Sequence, residues 1–415
     1  MKKKLSLAFA ILAAGGSVHA GDSFLPYADI ATAAIGSHPS VAAAEAQLSV
    51  AEAEARGRRA GDHDFLVSGS YVRRDVRGEG TYGEWDGSIS RAIRLPGKAS
   101  ADRKIGALGI EVAENARDDA RHQVALLLKD YWFEWLDAST RAEIDQLAVE
   151  AHRRELEMAE RRHALKEAAL IDVEGARSAL AAAEATLLKS NAQKLEAERV
   201  LRTVFPDLTM PLRAPEVPAP SATEYGADEW RDLILTRSHE LRMAEKEAEQ
   251  QLALARRVRL DKVGDPTVGL RVFSERGGDE QGVGLIFSMP FGPSRRNANS
   301  DAQRARALAA EARARNVRRV IEEVADRDIT RAETGLQVWQ QTMAAMTASE
   351  QVVARVRRAV ELGERDMVEL TRALAQHYDI RREEASARIM AQDAVTQLRI
   401  DSHEIWVATH HDHEE

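Results

Sequence analysis

Two periods alternate along the chain. Residues 39–60 and 240–261 are rich in Ala, Glu and Gln, with apolar positions at helical spacing. Each of these predicted helices leads into a run opened by an acid, Asp64-Phe65-Leu66-Val67 in one case and Asp265-Pro266-Thr267-Val268 in the other. There the period changes to two. Phe65, Val67, Gly69 and Tyr71 alternate with Leu66, Ser68, Ser70 and Val72, and Trp85, Gly87, Ile89, Arg91 and Ile93 alternate with Asp86, Ser88, Ser90 and Ala92. Further on, Val268, Leu270 and Val272 alternate with Thr267, Gly269 and Arg271, and Val283, Leu285, Phe287 and Met289 form a return face. Alternation over about ten residues with aromatics near the ends is the pattern of a strand in an outer membrane. Two hairpins make four strands, which cannot close a barrel, and lipid tolerates no open edge. Strands of this kind have to be pooled by several subunits.

The two hairpins belong to a longer repeat. Ser37-His38-Pro39 matches Ser238-His239-Glu240, and the halves then run in step at an offset of 201. Leu95-Pro96-Gly97-Lys98 matches Met289-Pro290-Phe291-Gly292 at an offset of 194, because the second hairpin is shorter by seven residues. Each copy continues into a predicted helical stretch of roughly sixty residues, a break, and another of roughly forty. Residues 102–163 and 299–362, if continuous, each span about 90 Å. Apolar positions are sparse, for example Val124, Leu127, Leu128, Tyr131, Trp132, Trp135 and Leu136 in the first of these, and further along Ala181, Ala182, Ala185 and Leu188 form another narrow stripe. A narrow stripe of small residues suits a coiled-coil wall, and periodicity alone fits an ordinary helical bundle as well. The matched hairpins favour the wall. Between the copies, Pro206, Pro211, Pro215, Pro218 and Pro220 forbid helix and predict an extended connector.

Composition fits this picture. Of 415 residues, 30% are charged, 44% hydrophobic and only 5% aromatic, the balance of long helices rather than of bulky cores. Lys2, Lys3 and Lys4 precede the apolar run Leu5 to Ala14, and Val18-His19-Ala20 offers a cleavage site, which reads as a signal peptide over residues 1–20. Its removal takes the net charge from −9 to −12, which argues against a nucleic-acid surface. No later stretch reaches 18 consecutive apolar residues, so no transmembrane helix is predicted. The chain has no Cys, which excludes disulfides, thiolate metal sites and lipid attachment at a processed N-terminal Cys. No serine–histidine–acid arrangement, phosphate loop or metalloprotease signature stands out, so no enzyme chemistry is expected.

A signal peptide, two copies of helix, hairpin, long helix and shorter helix, and a Pro-rich connector resemble the TolC family of outer-membrane efflux proteins. Ile171-Asp172-Val173-Glu174-Gly175-Ala176-Arg177 resembles the family's Asp-Val-x-x-Ala-Arg stretch. Leu362-Gly363-Glu364-Arg365, followed by Met367-Val368-Glu369-Leu370, resembles its Val-Gly-x-Arg tip motif. The resemblance implies an α+β membrane protein: a homotrimer whose four strands per protomer make a twelve-stranded barrel, continuous with a long helical coiled-coil barrel in the periplasm. The chain then divides into a signal peptide (1–20), a first repeat (21–205), the connector (206–225), a second repeat (226–400) and a His-rich acidic tail (401–415). The resemblance further implies a passive conduit in the outer membrane, most of its mass in the periplasm, which touches outer-membrane lipid and works with a periplasmic adaptor and an inner-membrane pump of the RND type.

Site residues follow from the same resemblance. Asp172 and Arg365 would form the periplasmic gate latch. Either they do, or they are simply charges on solvated helix starts, where Asp is favoured in any case. Adaptor docking would fall on Leu165, Lys166, Leu362, Gly363, Glu364 and Arg365. Glu369 and Arg372 would line the pore constriction, where relatives carry two acids, and mixed rings attract cations less than all-carboxylate rings. Val360 stands where relatives carry a tyrosine near the latch, and Lys166 where they often carry Gly.

Cargo is written less directly. His403, His410, His411 and His413 are interleaved with Asp401, Glu404, Asp412, Glu414 and Glu415. Imidazole and carboxylate are ligands for zinc, cobalt or nickel, so this segment is a candidate for weak metal binding, or else a solvated terminus. No resident cofactor is expected. The tail and the short length make the chain look closest to the family's cobalt–zinc–cadmium branch, which implies export of divalent heavy-metal cations. Drug efflux or type I secretion is the alternative for a channel. A periplasmic adaptor or structural coiled-coil protein is the alternative from another class, but an adaptor has one helical hairpin between β-rich domains, and a coiled-coil protein leaves the β-hairpins unexplained.

Overall fold

The computed structural model describes residues 23–407. The signal peptide predicted over 1–20 lies outside these residues, as do His410, His411 and His413. Among the described residues, eight α-helices and four β-strands follow one another: α1 (Ala28–Gly36), α2 (Pro39–Ala60), β1 (Leu66–Val76), β2 (Gly80–Ala92), α3 (Lys98–Ala164), α4 (Leu170–Val204), α5 (Ala227–Arg237), α6 (His239–Leu260), β3 (Thr267–Glu275), β4 (Glu280–Ser288), α7 (Pro293–Glu361) and α8 (Met367–Asp401). The order helix, helix, hairpin, long helix, shorter helix occurs twice. The long helices hold 67 and 69 residues, and the shorter ones 35 each. At 9 and 11 residues, α1 and α5 are too short to show a clear period in sequence.

Local chemistry sets the helix starts. The Nδ1 of His38 accepts the Ser40 amide at 3.2 Å, with Pro39 at the first helical position of α2, where its missing N–H costs nothing. Ser238 does the same work for α6, its Oγ accepting the Leu241 amide at 3.1 Å. Between Phe205 and Gly226 there is neither helix nor strand. This connector is pinned by α8: Arg388 Nη1 donates to the Val217 carbonyl at 3.0 Å and Gln392 Nε2 to that of Pro218 at 3.2 Å.

The chain forms two compact units. Among the described residues, one comprises 23–34, 128–224 and 331–396, and the other 35–127, 225–330 and 397–407. The core of the first is built largely from small and medium side chains, among them Ile144, Ala148, Ala159, Val173, Ala176 and Leu370. Tyr378 joins this core, and elsewhere in the unit Trp132 Nε1 donates to the Phe24 carbonyl at 3.0 Å and the Phe24 and Phe133 rings meet edge-on. The second unit holds a small cluster of Ile105, Leu108 and Ala253, and the sheet, whose strands lie in the order β1-β2-β3-β4, antiparallel throughout. No helix among the described residues is long and apolar enough to cross a membrane.

Candidate functional site

The sheet carries an exposed apolar face. Its register aligns Val67, Ile89, Leu270 and Leu285 in one row across all four strands, and Gly69, Gly87, Val272 and Val283 in the next. Leu285 is 87% exposed, Val67 74% and Phe287 70%. An antiparallel sheet in water packs its apolar face on a core, and a contiguous exposed patch of this kind marks a surface made for another apolar phase. The opposite face is polar: Ser68 and Ser88 share a hydrogen bond of 2.7 Å, and Ser70 donates to Asp86 Oδ2 at 3.2 Å. Aromatics sit at both ends of the apolar face. Tyr71 faces Trp85 across the ladder, and the Arg91 guanidinium lies 4.7 Å from the centre of the Phe65 ring. Six residues separate Phe65 from Tyr71, a rise of about 20 Å, close to the ~25 Å apolar band of an outer-membrane barrel. Gly269 is required by the spacing of β2 and β3, because a Cβ there would lie 2.5 Å from the Ile89 carbonyl oxygen.

A buried polar knot stands where the strands leave the helices. Lys98, the first residue of α3, is 1% exposed. Its Nζ reaches Asp265 Oδ1 at 2.8 Å, Asp261 Oδ1 at 2.9 Å and the Val263 carbonyl at 2.9 Å. Asp265 also bonds His63 Nε2 at 2.9 Å and accepts the Leu95 amide at 3.0 Å. Burial by itself raises the Asp265 carboxyl, but the bonds from Lys98, His63 and Leu95 outweigh it and bring it from 3.8 down to about 2. Gly292 occupies the matching place in the second copy, so this knot is built once per chain. Nearby, Asp102 accepts from Arg257 Nε at 2.7 Å and Arg94 Nη1 at 3.2 Å. Sequence pattern gives little sign of these pairs beyond the Lys that follows Pro96-Gly97.

The second candidate site is the pair of helix turns joining α3 to α4 and α7 to α8. They have the same hydrogen-bond pattern at an offset of 197. Lys166 N bonds the His163 carbonyl at 2.9 Å and Glu167 N that of Arg162 at 2.8 Å; Gly363 N bonds Val360 at 3.1 Å and Glu364 N bonds Ala359 at 2.9 Å. This is a Schellman ending, whose left-handed residue is Lys166 (φ 66°) in one turn and Gly363 (φ 77°) in the other. The sequence motifs therefore fall at equivalent places. Leu165 and Leu362 project, 64% and 56% exposed, as do Ile171 and Val368 just beyond.

Two sequence-derived pairs are rearranged within one protomer. Asp172 Oδ2 accepts the Ala169 amide at 3.0 Å, a capping contact at the start of α4. Arg365 does not meet Asp172. Its Nη1 instead spans both oxygens of Glu369, at 3.1 and 3.2 Å, so a residue expected in the latch is tied to one expected at the constriction. Arg372 is exposed three positions after Glu369 on α8. One contact at the turns has no motif at all: Arg162 Nη1 donates to the Val360 carbonyl at 2.8 Å.

The end of α8 also differs from a solvated tail. The helix reaches Asp401, and Ser402 and His403 are buried, with His403 (φ 57°) closing a third turn of the same Schellman type. His403 thus packs inside the second unit. Among the described residues, no three His, Asp or Glu side chains are grouped to hold a metal ion.

Comparison with known proteins agrees with this architecture. Residues 30–205 match the family model for outer membrane efflux proteins. No curated protein matches the sequence. The outer membrane protein VceC from Vibrio cholerae is 18% identical and superposes with a TM-score of 0.74, over 90% of this chain and 95% of its own. The outer-membrane channel OprN gives 0.78 at 17% identity, over 92% and 90%. The Campylobacter jejuni CmeC outer membrane channel gives 0.75 at 12% identity, over 96% and 94%. The matched family and these folds are those of channels, not enzymes. Residues 30–205 are thus similar to the outer membrane efflux protein family, and the chain shares its fold with these outer-membrane structures.

Proposed function

We propose that this chain is one protomer of an outer-membrane efflux channel, a passive conduit from periplasm to exterior within a tripartite system. The observation that carries this reading is the four-stranded sheet with an exposed apolar face and two edge strands, β1 and β4, that have no neighbour among the described residues. Copies that pair β4 with β1 of a neighbour satisfy the edges and turn the apolar faces to lipid. Three copies make the twelve-stranded barrel implied by the family resemblance. Leu165, Lys166, Leu362, Gly363, Glu364 and Arg365 then form the surface for a periplasmic adaptor, with an RND-type pump behind it. Across subunits, Asp172 and Arg365 make the gate latch.

Arginine placed on the two faces tests the reading. Leu270→Arg, on the apolar face, costs about 2–4 kcal/mol in lipid and abolishes recovery in the outer-membrane fraction. Ser88→Arg, on the polar face, leaves recovery intact. Equal recovery of both variants, or recovery of the unaltered chain as a soluble monomer, overturns the channel.

For cargo, the reading is divalent heavy-metal cations. The support is the ligand chemistry of His410, His411 and His413 among acids, together with a channel that has no need of a resident cofactor. A truncation after residue 400 also removes buried Ser402 and His403, so the sharper variant replaces only His410, His411 and His413 by Ser. It lowers zinc affinity relative to the unaltered protein if the segment collects metal. Equal affinities leave drug or protein cargo as the better reading.

A further inference from the structure

We propose that His122, His239 and His403 form a proton-operated clasp on the end of α8, which opens when His403 takes a proton. The three imidazoles come from α3, α6 and the turn after α8, all within one unit. The His403 ring stacks on that of His239, with centroids 4.7 Å apart and planes at 28°, and lies 5.3 Å from that of His122. His239 and His403 are 3% and 5% exposed, and both ring nitrogens of His403 are buried without a hydrogen-bond partner among the described residues. Rings this nearly parallel set their in-plane lone pairs side by side instead of converging on one point, so the stack is not a chelate. It is a contact between neutral rings.

The charged surroundings decide where protons go. α3 contributes Asp119 and His122, α5 contributes Arg237, α6 contributes His239, Glu240 and Arg242, and α8 contributes Asp401. His122 Nε2 lies 3.0 Å from Asp401 Oδ1, whose other oxygen accepts from Gln397 at 3.0 Å. A proton on His403 has to sit beside His122 and His239 and near Arg237 and Arg242, in a site of low dielectric. Burial first, then the charges of His122, His239, Arg242 and Arg237, lower His403 from 6.5 to about 3. Because the folded state keeps this ring neutral and the unfolded state does not, its contribution to stability is present above pH 6.5 and lost as pH falls toward about 3. Burial raises Asp119 and Glu240, which therefore lose charge early on acidification and stop shielding the rings.

What the clasp holds is the chain after α8. Arg237 Nη1 donates to the Ser402 carbonyl at 2.7 Å, and Trp406 and Val407 are buried beyond it. The test is hydrogen–deuterium exchange on the full-length detergent-solubilised protein, with intrinsic rates corrected for pH. Between about pH 7.5 and about pH 5, peptides covering 397–407 exchange about tenfold faster at the lower pH, while the rest of α8 changes little. His403→Phe keeps a packed ring and removes the titration, and its exchange is flat over the same range. An unchanged rate at 397–407 in the unaltered protein overturns the proposal, whether or not the variant folds. An equal acid response in His403→Phe also overturns it.

Discussion

The Arg162 guanidinium, in the last turn of α3, donates to the backbone carbonyl of Val360, in the last turn of α7. Position 360 is fully buried and has only a valine side chain, so its hold on the neighbouring helix comes from the main chain. A charge-assisted bond of this kind contributes about 1.5–3 kcal/mol. Arg162→Ala therefore loosens the two turns locally, without unfolding the unit. Faster deuterium exchange over 358–366 is the expected signature, and rates equal to the unaltered protein would show that the bond holds nothing.

The matched turns supply an internal control. Lys166 takes a left-handed conformation that Gly363 adopts at no steric cost. Lys166→Gly relieves about 1 kcal/mol of backbone strain, and Gly363→Ala introduces about as much. Thermal unfolding of the two variants moves in opposite directions. A shift of the same sign in both contradicts the equivalence of the turns.

Arg365 is already engaged when it meets any neighbouring subunit, because it spans the carboxylate of Glu369. Asp172 is likewise occupied with the Ala169 amide. A latch across subunits has to compete with both contacts. Asp172→Ala or Arg365→Ala raises single-channel conductance in planar bilayers, whereas Glu369→Gln frees Arg365 for the latch and lowers it. Unchanged conductance in the first two variants removes the latch from the gate.

How much of this was readable in advance depends on the range of each interaction. The hairpins were, because alternation at Val67, Gly69 and Tyr71 is local and survives without knowledge of the partner strand. The repeat was too, since matching Asp64 with Asp265 needs only order along the chain. Arg162 on Val360 was not: a long side chain meeting a main-chain oxygen leaves no residue type to recognise. His403 looked like part of a solvated tail because His122 and His239, which enclose it, lie far away in sequence. Arg365 and Glu369 stand four apart on one helix face, a spacing that predicts their pairing. Their separate roles came from the resemblance and not from the spacing.

Lys98 shows the cost of a charge left alone. Lys98→Met removes the ammonium shared by Asp265 and Asp261, and breaking a buried pair from one side costs about 3–5 kcal/mol. The pH dependence changes as well. Asp265 is held at about 2 in the folded protein, so its contribution is complete above pH 3.8 and lost as pH falls through about 2. In Lys98→Met the main bond that lowers it is gone, and acid unfolding between those two values becomes shallower. An unaltered acid transition would mean that His63 and the Leu95 amide hold the carboxylate without Lys98.

The row Val67, Ile89, Leu270, Leu285 ends on each side at a strand with no neighbour among the described residues. A single copy is therefore poorly suited both to water, which its apolar face repels, and to lipid, which rejects its bare edges. In the proposed ring of copies, insertion and assembly become one step, and its rate rises steeply with the number of copies present. The genetic consequence is dominance. A copy with an intact β4 but a broken β1 still joins its neighbours and leaves the ring open, so one faulty allele disables channels to which healthy copies also contribute.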